Sequence, residues 1–207
     1  MMDQLIQTSA LIEISICSAI VLIYLLEKMM SINTPFLLRI TLVLLLANLF
    51  YWPLGFSLEL PLAGYVRGVT GDLSIVSILL LCSFLLPSRQ RHPALLKVFL
   101  VVVALGFYPA ALGWGMVDPY AWGYDSIIFF STVLVIAIIC GLANWTLGVW
   151  LIGVAILAWS FQWHESTNLW DYLLDPFLAL WAIGSLLTGL YSKRRERARS
   201  GYLFRAG

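Results

Sequence analysis

Charge is scarce in this sequence: only 11% of its 207 residues are Asp, Glu, Lys or Arg, while 61% are hydrophobic. A soluble domain typically has about 25% charged and 45–50% apolar residues. This imbalance excludes a soluble globular domain, a disordered chain and a free nucleic-acid-binding module. It predicts an all-α, polytopic membrane protein, because a membrane barrel would show short strands of alternating polarity and none are visible.

Residues for metal and nucleophilic chemistry are also scarce, with three cysteines and two histidines. Cys17, Cys82 and Cys140 fall inside predicted spans and are interpreted as small packing residues. His92 and His164 are predicted on opposite membrane sides, whereas a catalytic zinc site usually needs three protein ligands. HExxH, GxSxG, CxxC and P-loop motifs are absent. We therefore expect no cofactor and no bound metal, with an oxygen-only Mg²⁺ or Ca²⁺ site as the open alternative.

Long stretches without charge mark the predicted spans, because a membrane helix needs about 20 mostly apolar residues. The 39 residues 126–164 are uncharged and suffice for two helices with a turn near Asn144. Residues 1–192 are expected to form the bundle and residues 193–207 a basic cytoplasmic tail. The third span is the shortest, and it either tilts little or begins earlier, within Tyr65–Gly71. The seven expected spans are Ser9–Lys28, Pro35–Phe56, Asp72–Leu86, Ala94–Leu112, Ser126–Ala143, Leu147–Trp163 and Tyr172–Tyr191.

The basic residues predict the orientation. Of the 12 lysines and arginines, 11 flank the inner ends of the spans and only Arg67 lies on the other side. The positive-inside rule then predicts an outer N-terminus and a cytoplasmic C-terminus, in the inner (plasma) membrane of a bacterial-type cell. Arg39 is expected to snorkel to the inner surface. Nine of the 11 acids lie at outer ends, and only Glu27 and Glu196 lie inside.

The predicted outer loops are rich in aromatic and acidic residues. Of the 18 Trp and Tyr residues, 11 lie at or beyond the outer ends, whereas an ordinary interfacial belt, the alternative interpretation, populates both faces. Aromatic faces and carboxylates suit sugars and organic cations, but these acids would repel nucleic acid. The candidate ligand- or partner-binding residues are Arg67, Asp72, Trp114, Asp118, Tyr120, Trp122, Asp125, His164, Glu165, Trp170, Asp171 and Asp175.

Some of these acids also have structural interpretations. Asp72 or Thr70 is expected to cap the third span, and Asp125–Ser126 is expected to cap the fifth in the same way. Asp171 and Asp175 are four residues apart, so both would lie on one face if the last helix begins early.

Arg67 is the only basic residue expected among the outer acids. One interpretation is an ordinary surface ion pair, which contributes about 0–1 kcal/mol. The other is an anchor that forks onto an anionic head group or onto a neighbouring carboxylate, because a guanidinium offers two parallel donors. The candidate carboxylates are those of Asp118, Asp125, Asp171 and Asp175.

Three functions remain open from the sequence, and whether the chain is an enzyme is not decided. The first is a non-catalytic subunit or assembly factor in a glycan- or lipid-linked cell-envelope pathway, whose outer face binds a substrate or partner. The second is a small-solute facilitator with the helix layout of SWEET-like carriers. The third is a membrane-embedded transferase or hydrolase that uses outer carboxylates. Expected partners are membrane lipids, other membrane proteins and a glycan or lipid head group, but not nucleic acid.

Overall fold

The computed structural model describes residues 2–53, 59–86 and 93–203. Regular structure in these ranges is helical, which confirms the all-α prediction. A π-helical turn, Ala110–Trp114, extends α5. The helices are α1 (Met2–Met30), α2 (Phe36–Tyr51), α3 (Leu62–Thr70), α4 (Ile75–Ser83), α5 (Ala94–Pro109), α6 (Trp122–Asp125), α7 (Ile127–Leu142), α8 (Thr146–Ser160), α9 (Leu169–Leu173) and α10 (Pro176–Leu203).

Three segments are long and apolar enough to cross a membrane. They are Ile6–Met30, Ala94–Trp114 and Leu169–Ala198, with 25, 21 and 30 residues. The apolar helices α2, α7 and α8 are shorter, with 15 or 16 residues each. At a rise of 1.5 Å per residue, each of these is about 23–24 Å long.

One short helix, α4, lies within the predicted third span, Asp72–Leu86, and α3 precedes it in the chain. α3 ends before Gly71, whose φ of 69° lies in the left-handed region that glycine enters without strain. α4 follows after this turn and has nine residues, so it is only about 13.5 Å long. The prediction that this span begins earlier, within Tyr65–Gly71, is therefore wrong, because the backbone leaves the helical conformation at Gly71.

Serine hydroxyls cap two of these helices. Ser74 accepts a hydrogen bond from the backbone N–H three residues later, at the start of α4. The prediction that Asp72 or Thr70 caps this helix is therefore wrong, because the helix begins further along the chain. Ser126 caps α7 in the same way, which confirms that part of the prediction for Asp125–Ser126.

The last predicted span, Tyr172–Tyr191, is divided. Leu174 is extended, with φ −144° and ψ 132°, and it separates α9 from α10. Asp171 and Asp175 therefore do not share one helical face, and that prediction is wrong. α10 begins at Pro176 and continues without interruption into the predicted basic tail.

The chain divides into two compact units. Unit 1 comprises residues 1–90 and 120–175, and unit 2 comprises residues 91–119 and 176–207. In unit 1, α1 packs along α2 and also contacts α3 and α4, while α8 contacts α4, α7 and α9. Alanines between α1 and α2 let the two backbones approach closely. The core between these helices consists of Ala19, Ile20, Ile23, Val43 and Ala47.

Unit 2 is built from α5 and α10. The Lys97 ammonium lies 5.7 Å from the centroid of the Trp181 ring, a cation–π contact. Both residues lie within the first two turns of their helices, so these turns are at the same end of the unit. Seven alternating spans would instead place the starts of these two helices on opposite membrane sides.

Candidate functional site

One end of unit 1 carries a group of bonded polar side chains that we call the polar cluster. Its bonds converge on the segment of residues 163–175, which follows α8 and contains α9. This segment is bonded to α1, to α3, to the start of α4 and to the turn before α6. The polar cluster consists of Glu13, Arg67, Asp72, Tyr120, His164, Glu165, Asp171 and Asp175.

Arg67 forms a bidentate ion pair within the cluster. Its Nε and Nη2 donate to the two oxygens of Asp72 at 2.6 and 2.9 Å, the fork geometry of strong guanidinium–carboxylate pairs. Nη2 also lies 3.1 Å from Oε1 of Glu165. The hydrogen bonds with Asp72 are the main reason why the pKa of the Arg67 guanidinium is raised above its usual value.

The fork predicted for Arg67 is present, but its partner is none of the four carboxylates named as candidates. The observed partner, Asp72, is only five residues from Arg67 and lies just beyond the turn at Gly71. This turn folds the chain back, so the carboxylate meets the guanidinium of the preceding helix. Asp72 therefore acts as an ion-pair partner, and its predicted role as a helix cap is taken by Ser74.

Glu13 ties α1 to the segment of residues 163–175. It accepts a hydrogen bond from Nε1 of Trp163, and its Oε2 lies 3.2 Å from Nε2 of His164. The His164 ring stacks on Tyr172 with centroids 4.9 Å apart. Glu13 is not among the predicted site residues, and its position near the outer end of the first span was the available signal.

His164 is buried, with 2% of its side chain exposed. A carboxylate only accepts hydrogen bonds, so the contact with Glu13 places the imidazole proton on Nε2. The other ring nitrogen, Nδ1, has no hydrogen-bond partner among the residues that the structure describes.

Asp171 fixes the turn before α6. Its Oδ2 accepts hydrogen bonds from the Tyr120 hydroxyl at 2.9 Å and from the Ser166 hydroxyl. Burial, followed by the hydrogen bonds with Tyr124 and Asp171, raises the pKa of the Tyr120 phenol, which therefore stays a donor. Asn168 is fully buried and donates to the carbonyl oxygen of Tyr120 at 2.9 Å.

Asp175 joins the end of the segment to α4. Its Oδ2 accepts from the backbone N–H of Ser74 at 2.9 Å, from the Ser74 hydroxyl at 2.7 Å and from the Ser77 hydroxyl. The residue is 5% exposed. Three donors at a helix N-terminus stabilise an ionised carboxylate, so Asp175 is a structural anchor.

The aromatic candidates of unit 1 differ in exposure. Trp170 stacks on Phe129 with centroids 4.5 Å apart and is half-buried. Trp122 is 48% exposed on α6, and Trp163 is 50% exposed beside the cluster. The Glu165 side chain is 54% exposed. Trp163 and Glu165 are thus each bonded to another part of unit 1, and both side chains are accessible from outside.

Three candidates lie apart from the cluster. Trp114 and Asp118 belong to unit 2, where Trp114 is 84% exposed. The side chain of Asp125 lies outside the described part of the chain. Among the described residues, no three His, Cys, Asp or Glu side chains are grouped as metal ligands.

The opposite end of unit 1 holds a buried ion pair that the sequence analysis missed. Glu27 lies on α1 about 21 Å from Glu13. Nε of Arg39 donates to Oε1 of Glu27 at 2.8 Å, and the two side chains are 10% and 5% exposed. Arg39 also donates to the carbonyl oxygens of Thr34 at 3.2 Å and Phe84 at 3.4 Å. The prediction that Arg39 snorkels to the surface is therefore wrong, because acceptors inside the bundle satisfy its guanidinium.

No protein-family model matches the chain, and no curated protein or solved structure matches it either. The inference about function therefore depends on the geometry of the polar cluster. That geometry consists of carboxylates bonded within their own unit, beside an accessible tryptophan and glutamate.

Proposed function

We propose that this chain is a non-catalytic subunit or assembly factor of a cell-envelope pathway in the inner membrane, and that its outer face binds a glycan, a lipid head group or a partner protein. One observation carries this proposal. The segment of residues 163–175 is bonded to four other parts of unit 1, while Trp163 and Glu165 stay half-exposed. A surface ordered before binding loses little conformational freedom on association.

The bonding of the acids in the polar cluster supports binding rather than hydrolysis. Asp171 and Asp175 each accept hydrogen bonds from serine or tyrosine hydroxyls of the same unit, and Asp72 is held by Arg67. A general acid or base must instead reach the reacting group of its substrate. These carboxylates are better explained as supports for the exposed residues.

The proposed arrangement is a multi-pass helical bundle with an outer N-terminus and a cytoplasmic C-terminus. The long apolar segments support a membrane location. In unit 1, the acids of the polar cluster lie at one end, and the Glu27–Arg39 pair lies at the other. This grouping agrees with the division into two faces that the positive-inside rule predicts.

Topology reporters test this arrangement. A reporter at the C-terminus should be active only in the cytoplasm, and one at Pro119 only outside. A cysteine introduced at Lys97 tests the direction of α5 separately. Reaction with a reagent supplied from the cytoplasm would support alternating spans, whereas reaction from outside would support the contact between Lys97 and Trp181 at the start of α10. The reverse pattern of the two reporters would place the polar cluster on the cytoplasmic side and end the proposal of an outer recognition face.

Photo-crosslinking tests the proposed binding surface. A photoreactive amino acid at Glu165 should capture one adduct of defined mass, a glycan, a lipid or a protein. Trp150, which is 69% exposed on α8, provides the matched control position and should capture bulk lipid only. Trp163→Ala should reduce capture at Glu165. Identical adducts at both positions would contradict a binding surface at the cluster.

The Glu13–His164 pair favours a second candidate function, a membrane-embedded transferase or hydrolase. A carboxylate that holds one imidazole nitrogen orients the other as a general base, and Nδ1 of His164 has no partner among the described residues. Because this nitrogen is buried, the function also requires the segment of residues 163–175 to move aside for the substrate. This function requires the purified chain to turn over a lipid-linked glycan. His164→Gln should then abolish turnover at an unchanged protein level, and a wild-type chain without turnover would reject this candidate.

A further inference from the structure

A small cavity lies beside the buried Glu27–Arg39 pair in unit 1. Its volume is about 10 Å³, at the lower end of the range of about 10–15 Å³ that one water molecule requires. Tyr24 and Glu27 line it from α1, Arg39 lines it from the first turn of α2, and Phe84 and Leu85 line it from the chain after α4. The cavity is therefore formed where three segments of the unit meet.

The guanidinium of Arg39 has more hydrogen-bond donors than protein acceptors. Nε donates to Oε1 of Glu27 at 2.8 Å, while Nη1 and Nη2 donate to the carbonyl oxygens of Phe84 at 3.4 Å and Thr34 at 3.2 Å. A guanidinium carries five N–H groups, so one on each Nη has no acceptor among the residues that the structure describes. The side chain is 10% exposed, and a buried donor without an acceptor is costly.

The Glu27 carboxylate supplies acceptors on the other side of the pair. Its Oε1 accepts from Nε of Arg39 and from the Thr34 hydroxyl, and a carboxylate accepts up to about four hydrogen bonds. A buried ion pair is favourable only when further hydrogen bonds satisfy both of its members. An apolar cavity can stay dry, whereas a cavity lined by buried donors and acceptors binds water.

We propose that this cavity binds one water molecule, which bridges the two charged side chains. The water oxygen accepts a hydrogen bond from an Nη of Arg39, and one water proton is donated to the Glu27 carboxylate. The ligand is water because the cavity has no room for a larger molecule and the two charges already balance each other. The site lies at the opposite end of unit 1 from the polar cluster and does not depend on its proposed function.

Magnetic relaxation dispersion of the water oxygen nucleus tests the site, because it counts waters that stay bound to the full chain in micelles. Glu27→Leu/Arg39→Met replaces the pair by apolar side chains of similar volume and should lose one bound water relative to the wild type. Leu44→Met, at a residue of α2 that is 60% exposed, is the matched control and should leave the count unchanged. An equal count in the wild type and the double variant would overturn the site, as would the same loss in the control.

A crystal structure of the full chain, at a resolution that shows ordered water, tests the position of this molecule. We expect a water oxygen within hydrogen-bond distance of an Nη of Arg39 and of a carboxylate oxygen of Glu27. A protein side chain that fills the cavity would overturn the proposal. Protein acceptors bonded to all five N–H groups of Arg39 would overturn it too, even if the double variant loses a water elsewhere.

Discussion

The two ends of unit 1 each pair an arginine with carboxylates, but the two pairs differ in burial. Arg39 and Glu27 are 10% and 5% exposed, whereas Arg67 and Asp72 are 21% and 23% exposed and Glu165 is 54% exposed. Water and salt screen the more exposed pair. A buried charge that loses its partner is much more costly. The comparison indicates that Arg39 holds the helices together, while Arg67 orients a surface.

Removal of the buried arginine should have the largest effect on stability. Arg39→Ala leaves the Glu27 carboxylate buried without its partner, so we expect a loss of about 3–5 kcal/mol in the free energy of unfolding. Denaturant titration in mixed micelles measures this loss. The double variant Glu27→Leu/Arg39→Met should recover most of it, because an apolar pair of similar volume needs no partner. If Arg39→Ala lowers the free energy of unfolding no more than Arg67→Ala does, the two ends of unit 1 do not differ in this way.

A side chain at Gly123 should disturb the packing beneath the polar cluster. A Cβ there would lie 1.7 Å from Oδ1 of Asn168 and 2.8 Å from Cδ1 of Trp170. We expect Gly123→Ala to cost about 3 kcal/mol, the upper end for overpacking, in the same unfolding titration. Gly68→Ala is the matched control, because nothing lies within 4 Å of its added Cβ. Similar stabilities of the two variants would contradict tight packing of Gly123 against Asn168 and Trp170.

The hydrogen bonds of Asp175 should contribute less to the free energy of unfolding than the Arg39–Glu27 pair or the packing at Gly123. Asp175→Asn replaces an ionised acceptor of three donors by a neutral amide, and we expect a loss of about 2 kcal/mol. Glu59→Gln, at an exposed acid of the same unit, should leave the unfolding midpoint unchanged. If both variants unfold at the same denaturant concentration, the segment of residues 163–175 does not depend on Asp175.

The smallest expected change in stability is that of Arg67→Lys. The pair is partly exposed, so the loss should stay below about 1 kcal/mol and vanish in about 1 M salt. The variant should nevertheless lose most of the capture at Glu165, because a lysine cannot hold Asp72 and Glu165 in the same geometry. Arg67→Ala should behave alike, with a near-normal protein level. Wild-type capture by Arg67→Lys would show that Arg67 is an ordinary surface charge.

Local patterns predicted a large part of the fold. The turn expected near Asn144 exists, with Asn144 at φ 55° between α7 and α8. Composition predicted apolar helices in the regions of α1, α2, α5, α7 and α8. The interruption at Leu174 was missed, because Leu173 and Leu174 with a following Asp175-Pro176 also fit the first turns of one continuous helix.

The sequence by itself determined the helical class and the apolar segments, because these properties depend on composition and local spacing. Only the tertiary structure decided which groups meet. His164 is 151 positions from Glu13, and Asp175 is 101 positions from Ser74. Such partners depend on how distant helices pack and on where the chain turns between them. Packing also decided that Arg39 is buried and Arg67 partly exposed, although both are single arginines near apolar spans.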